Sequence, residues 1–505
     1  MEKIAIIDLG SNTARLLIVD VFDDGHFVVS DQLKEAPRIG EGMEKDGFLK
    51  PSRIRDTIET LKTFKKLCDA YGIGEKIYAV ATAAVRKAKN QRSFLDEVFA
   101  VTNIKLRVLT AEEEALYVYK GVINTMDIPK GIILEIGGGS TKIVYYNRRN
   151  LLNYETLPFG SITLTEMFAG SGLTPYEQAE KIEEFVTEKL SQIEWLKELD
   201  PETQIIGVGG SFRNLCRITK IMKKYPLRTI HNYVIGAEDF NHTYNLLKGL
   251  DIDRKKRIKG ISSGRADILP SAFAAINAFK KYVNIGDMVV SASGLRTGML
   301  FNYVVPSTID KPISDVLQYS LGTLVDFYGC NKVHTENMVN LSVQLFKQLR
   351  VLHKFPRQYL RILKVAATLN DAGRSVSFYN YQKHSGYVIL NANLHGISHR
   401  DIVMASFVVS CTGMEEINAS DWARYSVLLT DDDVEAVKKM GVMLRLAEAL
   451  DRSGTNAVTN ITCDILGDSV IMKTDVNGDA SLELNSANAL AGDFRRVFHK
   501  NLDIL

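Results

Sequence analysis

Residues 5–17 read Ala-Ile-Ile-Asp-Leu-Gly-Ser-Asn-Thr-Ala-Arg-Leu-Leu, and residues 132–144 read Ile-Ile-Leu-Glu-Ile-Gly-Gly-Gly-Ser-Thr-Lys-Ile-Val. Laid over each other, the two stretches match Asp8 with Glu135, Gly10 with Gly137, Thr13 with Ser140 and Arg15 with Lys142. Each is an apolar strand, a carboxylate, a turn of small residues and a second apolar strand. Such a hairpin offers backbone N–H groups to an anion and a carboxylate to a metal ion. Two copies predict two similar lobes that face one cleft, with a phosphate chain between them.

Around the hairpins strands alternate with helices, which implies mixed α/β lobes. Residues 3–21 and 27–33 read as strands. Residues 51–71 read as a helix: Pro51 starts it, Ile54, Ile58, Leu61, Phe64 and Leu67 recur at helical spacing, and Gly72 ends it. A strand over 76–82 leads into a helix from Ala83, and a strand over 104–110 into a helix from Glu112. The second lobe opens near residue 126. Thr174-Pro175-Tyr176-Glu177 is a capping box that starts a helix running to about Leu196. A strand over 204–208 ends in Gly209-Gly210-Ser211 and a helix, and a last strand over 285–292 ends in Gly294-Leu295-Arg296 and a helix. From 315 to 451 the pattern is nearly all helical, with apolar stripes over 335–353, 357–369, 398–410 and 431–451. Residues 457–485 return to strand-like alternation, and 489–505 form a final amphipathic stretch. Val305-Pro306-Ser307 is the linker candidate, so the expected domains are 1–125, 126–305 and 306–505.

The composition fits this plan. The chain has 505 residues, 46% of them hydrophobic and 24% charged, enough for several cores. Its formal net charge of +2 gives no global field for polyanions, so a polyanion site must be a local cluster of Lys, Arg and N–H groups. Cys68, Cys216, Cys330, Cys411 and Cys463 form no C-x-x-C pair, which argues against a zinc knuckle or a disulfide framework and for reduced thiols in the cytoplasm. The first strand begins within a few residues of Met1, leaving no room for a signal peptide, and no apolar run reaches the ~18 residues of a membrane helix. Neither a nucleic-acid partner nor a membrane span is expected.

The candidate site follows from the turns. Gly10 and Gly137–Gly139 let the backbone approach phosphate oxygens, and Ser11, Asn12, Thr13, Ser140 and Thr141 add side-chain donors. Asp8 and Glu135 close apolar strands at the cleft floor, where paired carboxylates suit Mg²⁺; the alternative is that each accepts N–H bonds from its own turn. In Thr110-Ala111-Glu112-Glu113-Glu114, Thr110 and Glu113 have capping-box spacing. Glu114 is not needed for the cap and is the candidate to orient and deprotonate a water. Arg86, in the first turn after Thr82, opposes the helix dipole, which a bound anion or a nearby acid would relieve. Gly209, Gly210 and Ser211 open a helix whose N-terminus suits phosphate. The run Arg254-Lys255-Lys256-Arg257-Ile258-Lys259 reads as a solvated helix face.

With these residues in view, the chain resembles the exopolyphosphatase/guanosine pentaphosphate phosphohydrolase (Ppx/GppA) family over nearly its whole length. The resemblance rests on residues 7–13, Arg38-Ile39-Gly40-Glu41-Gly42, Ala81-Thr82-Ala83-Ala84-Val85-Arg86, Glu113-Glu114-Ala115, residues 136–141, Pro158-Phe159-Gly160-Ser161, Gly209-Gly210-Ser211, Arg265-Ala266-Asp267-Ile268 and Gly294-Leu295-Arg296, in that order. It implies two actin/Hsp70-like (ASKHA) lobes, a homodimer, and Mg²⁺- or Mn²⁺-dependent hydrolysis of a terminal phosphoanhydride. By resemblance Glu114 positions the attacking water, Asp8 and residue 135 hold the metal, and the Gly-rich hairpins with Arg86 hold phosphate. The family usually has Asp where this chain has Glu135, and the extra methylene moves the carboxylate by ~1.5 Å. Residues 310–505 resemble a mostly α-helical, HD-like domain in which the His-Asp pair reads Asn370-Asp371, with His334 and Asp451 at outer ligand positions. Asn is a poor substitute for imidazole at a transition metal, so no HD-type hydrolysis is expected. The domain is read instead as a polyphosphate channel or a dimer interface, with His384 and His395 as candidate phosphate contacts.

The expected function is exopolyphosphatase action on inorganic polyphosphate. The alternatives are a guanosine pentaphosphate (pppGpp) phosphohydrolase, an ATP-dependent kinase or chaperone with an adenosine pocket near 207–211, and a non-catalytic alarmone or polyphosphate sensor.

Overall fold

In the computed structural model, which describes residues 2–169, 172–305, 307, 311–411 and 417–505, the chain forms two compact units. One holds the residues up to Tyr225 together with Ile230–Val316, and the other holds Pro226–Thr229 with Leu317–Leu505. Pro306, in the linker read from the sequence, lies outside the described residues.

The first unit contains two sheets built to one plan. β1 (Glu2–Leu9), β2 (Ala14–Val21), β3 (Phe27–Glu35), β4 (Ile77–Ala81) and β5 (Leu106–Val108) are ordered β3-β2-β1-β4-β5. β1–β2 and β2–β3 are antiparallel, whereas β1–β4 and β4–β5 are parallel. β6 (Lys130–Ile136), β7 (Thr141–Asn147), β8 (Asn150–Leu157), β9 (Gln204–Val208), β10 (Tyr233–Ile235) and β11 (Met288–Val290) repeat the order as β8-β7-β6-β9-β11, with β10 antiparallel at the edge. These are the two lobes the sequence repeat predicts. The strand read over 285–292 is confined to β11, because the Ile285 amide N–H is spent on the Lys280 carbonyl at the end of the preceding helix.

Strand alternation divides the core. Ala5, Ile7 and Leu9 of β1 face a cluster with Leu61, Phe64 and Phe94, while Ile4 and Ile6 face the opposite side. That side is a layer between the two sheets, where Val118 and Val122 of helix Ala111–Ile123 and Met299 and Leu300 of helix Leu295–Val304 meet Ile133, Val144 and Ile206 of the second sheet. The two helices cross at glycines. A Cβ on Gly298 would lie 1.8 Å from the Tyr117 carbonyl oxygen, and one on Gly121 would lie 2.2 Å from that of Gly294. This crossing brings the first turn of helix 111–123, and with it Glu114, under the cleft. The helix Ala83–Lys87 has five residues, so Arg86, in its first turn as read from sequence, is in its last turn too, and the dipole it opposes is that of little more than one turn.

The second unit is a helical bundle, including Lys332–Gln348, Tyr359–Thr368, Tyr381–Asn391, His399–Ser410 and Asp432–Ala449. It ends in a small sheet of β12 (Val458–Leu466), β13 (Ser469–Val476) and β14 (Asn501–Ile504), ordered β12-β13-β14. Here the reading of 457–485 as strand is corrected. Residues from Ser481 are helical, because the Asp479 side chain accepts the Ser481 N–H (2.9 Å) and starts helix Ser481–Asn488. The final amphipathic stretch is helix Ala491–Phe498 followed by β14, which pairs parallel with β13. All five cysteines are free, and no helix among the described residues is long and apolar enough to cross a membrane.

Candidate active site

Cross-strand register builds the site. In the first hairpin Asp8 is opposite Arg15, and in the second Glu135 is opposite Lys142, so each sets an acid across the ladder from a cation at its base. At each tip the first glycine closes the turn: Gly10 N–H donates to the Thr13 carbonyl (3.0 Å) and Gly137 N–H to that of Ser140 (2.9 Å). The tips touch, since a Cβ on Gly138 would lie 3.0 Å from Ser11 Cβ. Both turns line one cavity with Asp8, Glu135, Gly209 and Gly210. A salt bridge latches the lobes beside it, from Arg38 to Asp267 (2.8 Å).

The cavity wall is made of donors. The N–H groups of Ser11, Asn12, Thr13, Gly138, Gly139 and Ser140 meet no protein acceptor among the described residues. Arg15, Arg213, Arg265 and Arg296 also line it, and none forms an ion pair among the described residues. Burial pushes Arg265 and Arg296 down to about 10, with Arg15 repelling both. Arg213 falls well below its ordinary value through burial and the charges of Arg15 and Arg296. Uncompensated buried cations are costly, and an anion among them removes the cost. Asn12 is 3% exposed, and neither Nδ2 nor Oδ1 has a hydrogen-bond partner.

The Asp8 carboxylate makes no hydrogen bond or ion pair with protein among the described residues. Burial raises its pKa, with Glu135 adding to the effect and Arg296, Arg15 and Lys142 opposing it. Neither Asp8 nor Glu135 accepts an N–H bond from its own turn. Two carboxylates, free N–H groups and room for phosphate oxygens fit one Mg²⁺ ion, which takes one or two protein carboxylates and completes its shell with water and phosphate.

Glu114 and Arg86 stand behind this wall and do not line the cavity. Glu114 is fully buried; its Oε1 accepts from Arg86 Nη1 (2.8 Å) and its Oε2 lies 2.9 Å from Lys142 Nζ, with no aligned hydrogen bond to satisfy that oxygen. Arg86 also donates to the Leu109 carbonyl (2.8 Å), so its acid partner is Glu114. The capping box is as read: Thr110 Oγ1 accepts from Glu113 N–H (3.1 Å) and Glu113 Oε2 from Thr110 N–H (2.9 Å), which leaves Glu114 to turn inward. Thr141 and Ser211 do not line the cavity either. The Thr141 hydroxyl donates to the Phe159 carbonyl (2.8 Å) and that of Ser211 points to the Ile136 carbonyl (3.5 Å).

Sequence reasoning missed Lys142, Arg15, Arg213, Arg265 and Arg296. The overlay of hairpins held the signal for Lys142 and Arg15, and the quoted motifs contained Arg265 and Arg296, but nothing linear marks them as one cluster. Burial works to lower the Lys142 pKa, and the charges of Glu114 and Glu135 outweigh it, so the ammonium is held firmly protonated. The basic run 254–259 lies outside the cavity; helix Ile252–Arg257 is capped by Asp251 and exposed apart from Lys255.

In the second unit, His334, Asn370, Asp371 and Asp451 do come together. His334 Nδ1 lies 2.6 Å from Asp451 and Nε2 3.7 Å from Asp371, while Arg374 pairs with Asp371 (3.1 Å). Asn370 Nδ2 donates to Asp371 (3.2 Å). The hydrogen bond to Asp451 raises the His334 pKa. Arg374, the His334 imidazole and the Asn370 carboxamide therefore surround Asp371. His384 stands in helix Tyr381–Asn391, and the His395 N–H donates to the Ser320 hydroxyl (3.1 Å).

The chain is 29% identical over 312 residues to the bifunctional 3-dehydroquinate synthase/phosphatase of Fusobacterium nucleatum, covering 59% of this chain and 46% of that protein, so it spans less than half the relative's length. It is 25% identical over 406 residues to a guanosine-5'-triphosphate,3'-diphosphate pyrophosphatase of Aeromonas salmonicida, covering 78% and 77%. A crystal structure of an exopolyphosphatase from Cytophaga hutchinsonii superposes with a TM-score of 0.56 at 25% identity, over 60% of this chain and 98% of that one. The model of the Ppx/GppA phosphatase family matches residues 18–305 and that of its domain III residues 316–490, so this chain belongs to the Ppx/GppA phosphatase family.

Proposed function

We propose that the cleft hydrolyses the terminal phosphoanhydride of inorganic polyphosphate and releases orthophosphate. The observation that carries this reading is the wall: six N–H groups without a protein acceptor and four arginines without an ion pair converge on one cavity. A dense linear polyanion supplies both kinds of partner. The preference for polyphosphate over pppGpp rests on what adjoins the cavity. A second cavity shares Arg15, Arg213, Arg265 and Arg296 and adds Lys34 and Arg217, and its lining contains no aromatic ring. A guanine base gains from a stacking surface, whereas further phosphates gain from further cations.

In this reading Asp8 and Glu135 would hold Mg²⁺, which when bound neutralises phosphate charge. The two turns grip the terminal phosphates through their N–H groups, and the arginines hold the equatorial oxygens. The Lys142 ammonium has three N–H donors; Glu114 and Glu135 engage it, and it still lines the cavity to meet a phosphate oxygen. Glu114 Oε2, beside Lys142 but without an aligned hydrogen bond, accepts a hydrogen bond from the attacking water and then its proton. Arg86 fixes the other oxygen. Positioning and electrostatics carry most of the acceleration, as in other phosphoryl transfers.

The test is phosphate release from long-chain polyphosphate and from pppGpp, side by side, with Mg²⁺ and with Mn²⁺. Faster release from polyphosphate is expected. Faster release from pppGpp overturns the substrate, and tight polyphosphate binding without release under either metal identifies a sensor.

A further inference from the structure

Lys142 is placed where a second divalent ion would otherwise be attracted. It projects from β7 opposite Glu135, so the hairpin register fixes its origin. Its Nζ lies 2.9 Å from Glu114 Oε2 and 3.2 Å from Glu135 Oε2, joining two carboxylates that come from different lobes. The ammonium is 7% exposed at its side chain, and a Cβ on Gly137 would lie 4.0 Å from it, which puts it directly beneath the phosphate-facing turn. Two-metal phosphoryl-transfer sites use a pair of ions ≈ 3.5–4 Å apart to neutralise both sides of the displacement. Here Asp8 remains free of protein partners, while the space between Glu114 and Glu135 already holds a covalently anchored positive charge.

We propose that Lys142 is a resident cation that replaces a second divalent ion between Glu114 and Glu135 and restricts the cleft to a single metal, on the Asp8 side. This deepens the reading above and rests on it for Glu135 as a metal-facing carboxylate. A lysine in this place makes the charge at the water-binding edge independent of metal concentration. It also keeps the buried Glu114 and the partly buried Glu135, from opposite lobes, from repelling each other when no substrate is present. Removing the charge while keeping the stem leaves Glu114 and Glu135 facing each other, and a divalent ion is the group that satisfies both.

Mn²⁺ binding to the full chain is counted by the loss of the free-ion electron paramagnetic resonance signal, without phosphate. The comparison is between wild type, Lys142→Gln and Lys142→Arg. Lys142→Gln is expected to bind one more Mn²⁺ per chain than wild type, and Lys142→Arg the same number as wild type. Equal numbers in Lys142→Gln and wild type overturn the proposal, as does an extra ion in Lys142→Arg. Thermal unfolding gives a second readout: Mn²⁺ should raise the Tm of Lys142→Gln more than that of wild type. Should Lys142→Gln fail to fold in EDTA, recovery of soluble protein with Mn²⁺ supports the proposal, and failure under both conditions refutes it. Phosphate release by wild type is measured in parallel. An extra ion in Lys142→Gln with no release from polyphosphate rejects the substrate reading alone. Release from polyphosphate without the extra ion rejects the resident cation alone.

Discussion

Gly210→Ala should disarm a cleft arginine without touching it in sequence. Gly210 stands in the first turn of helix Gly209–Met222, and a Cβ added there falls 2.3 Å from Arg265 Cζ and 2.5 Å from each of Nη1 and Nη2. Something must move, and the end of a long side chain moves more cheaply than backbone. The guanidinium should swing out of the cavity while the helix stays. Alanine is also the better helix former by ~1 kcal/mol, so stability should hold or rise slightly. The lost contact is a hydrogen bond between charged groups, about 1.5–3 kcal/mol. At 1.4 kcal/mol per tenfold, tripolyphosphate should bind about 10- to 150-fold more weakly. Calorimetric titration of wild type, Gly210→Ala, Arg265→Ala and the double variant, at fixed ionic strength, decides it. If the glycine acts through Arg265, the double variant binds like Arg265→Ala, since the two changes share one group. Unchanged affinity in Gly210→Ala, or a full further loss when Arg265 is already absent, would refute the reasoning.

Other outcomes follow from the same geometry. Glu114→Gln should lower the rate of phosphate release by ~10²–10⁴-fold with little change in tripolyphosphate affinity, measured by release assay and calorimetry; undiminished hydrolysis removes its role as proton acceptor. Thr110→Ala deletes the cap on the turn that carries Glu114, and urea unfolding should show a loss of ~1 kcal/mol. His231 gives an acid limit. It is buried, its Nε2 lies 2.8 Å from the Thr125 carbonyl, its Nδ1 accepts from Ala292 N–H (3.2 Å), and burial pushes its pKa from 6.5 to about 4. Both states are neutral well above pH 6.5; as the pH falls from there towards 4 the unfolded chain takes up the proton first, so up to about 3 kcal/mol of stability is lost over that window. His231→Gln should flatten this part of the stability profile, read by denaturation at stepped pH.

The hairpins and helices were legible because their signals are local. Strand, carboxylate and turn recur in sequence, and the overlay that sets Asp8 on Glu135 and Arg15 on Lys142 returns in the structure as matching register pairs. The capping boxes at Thr110 and Thr174 formed as their spacing implied. What sequence could not supply was long-range meeting. Arg213, Arg265 and Arg296 come from separate elements, and only the fold makes them one cluster. Lys142 meeting Glu114 joins a strand of one lobe to a helix of the other, with no periodicity to announce it. Dipole reasoning at Arg86 presumes a helix of several turns; this one has five residues, and the nearby acid, Glu114, is what meets the charge.

The glycine crossing in the central layer has a mechanical meaning. Because Gly298 and Gly121 bring backbone against backbone, the two helices of the central layer cannot slide past each other without driving carbonyl oxygens into neighbouring chain. Glu114 sits on one of these helices and Arg296 on the other, so the spacing of the two charged groups is pinned at the crossing.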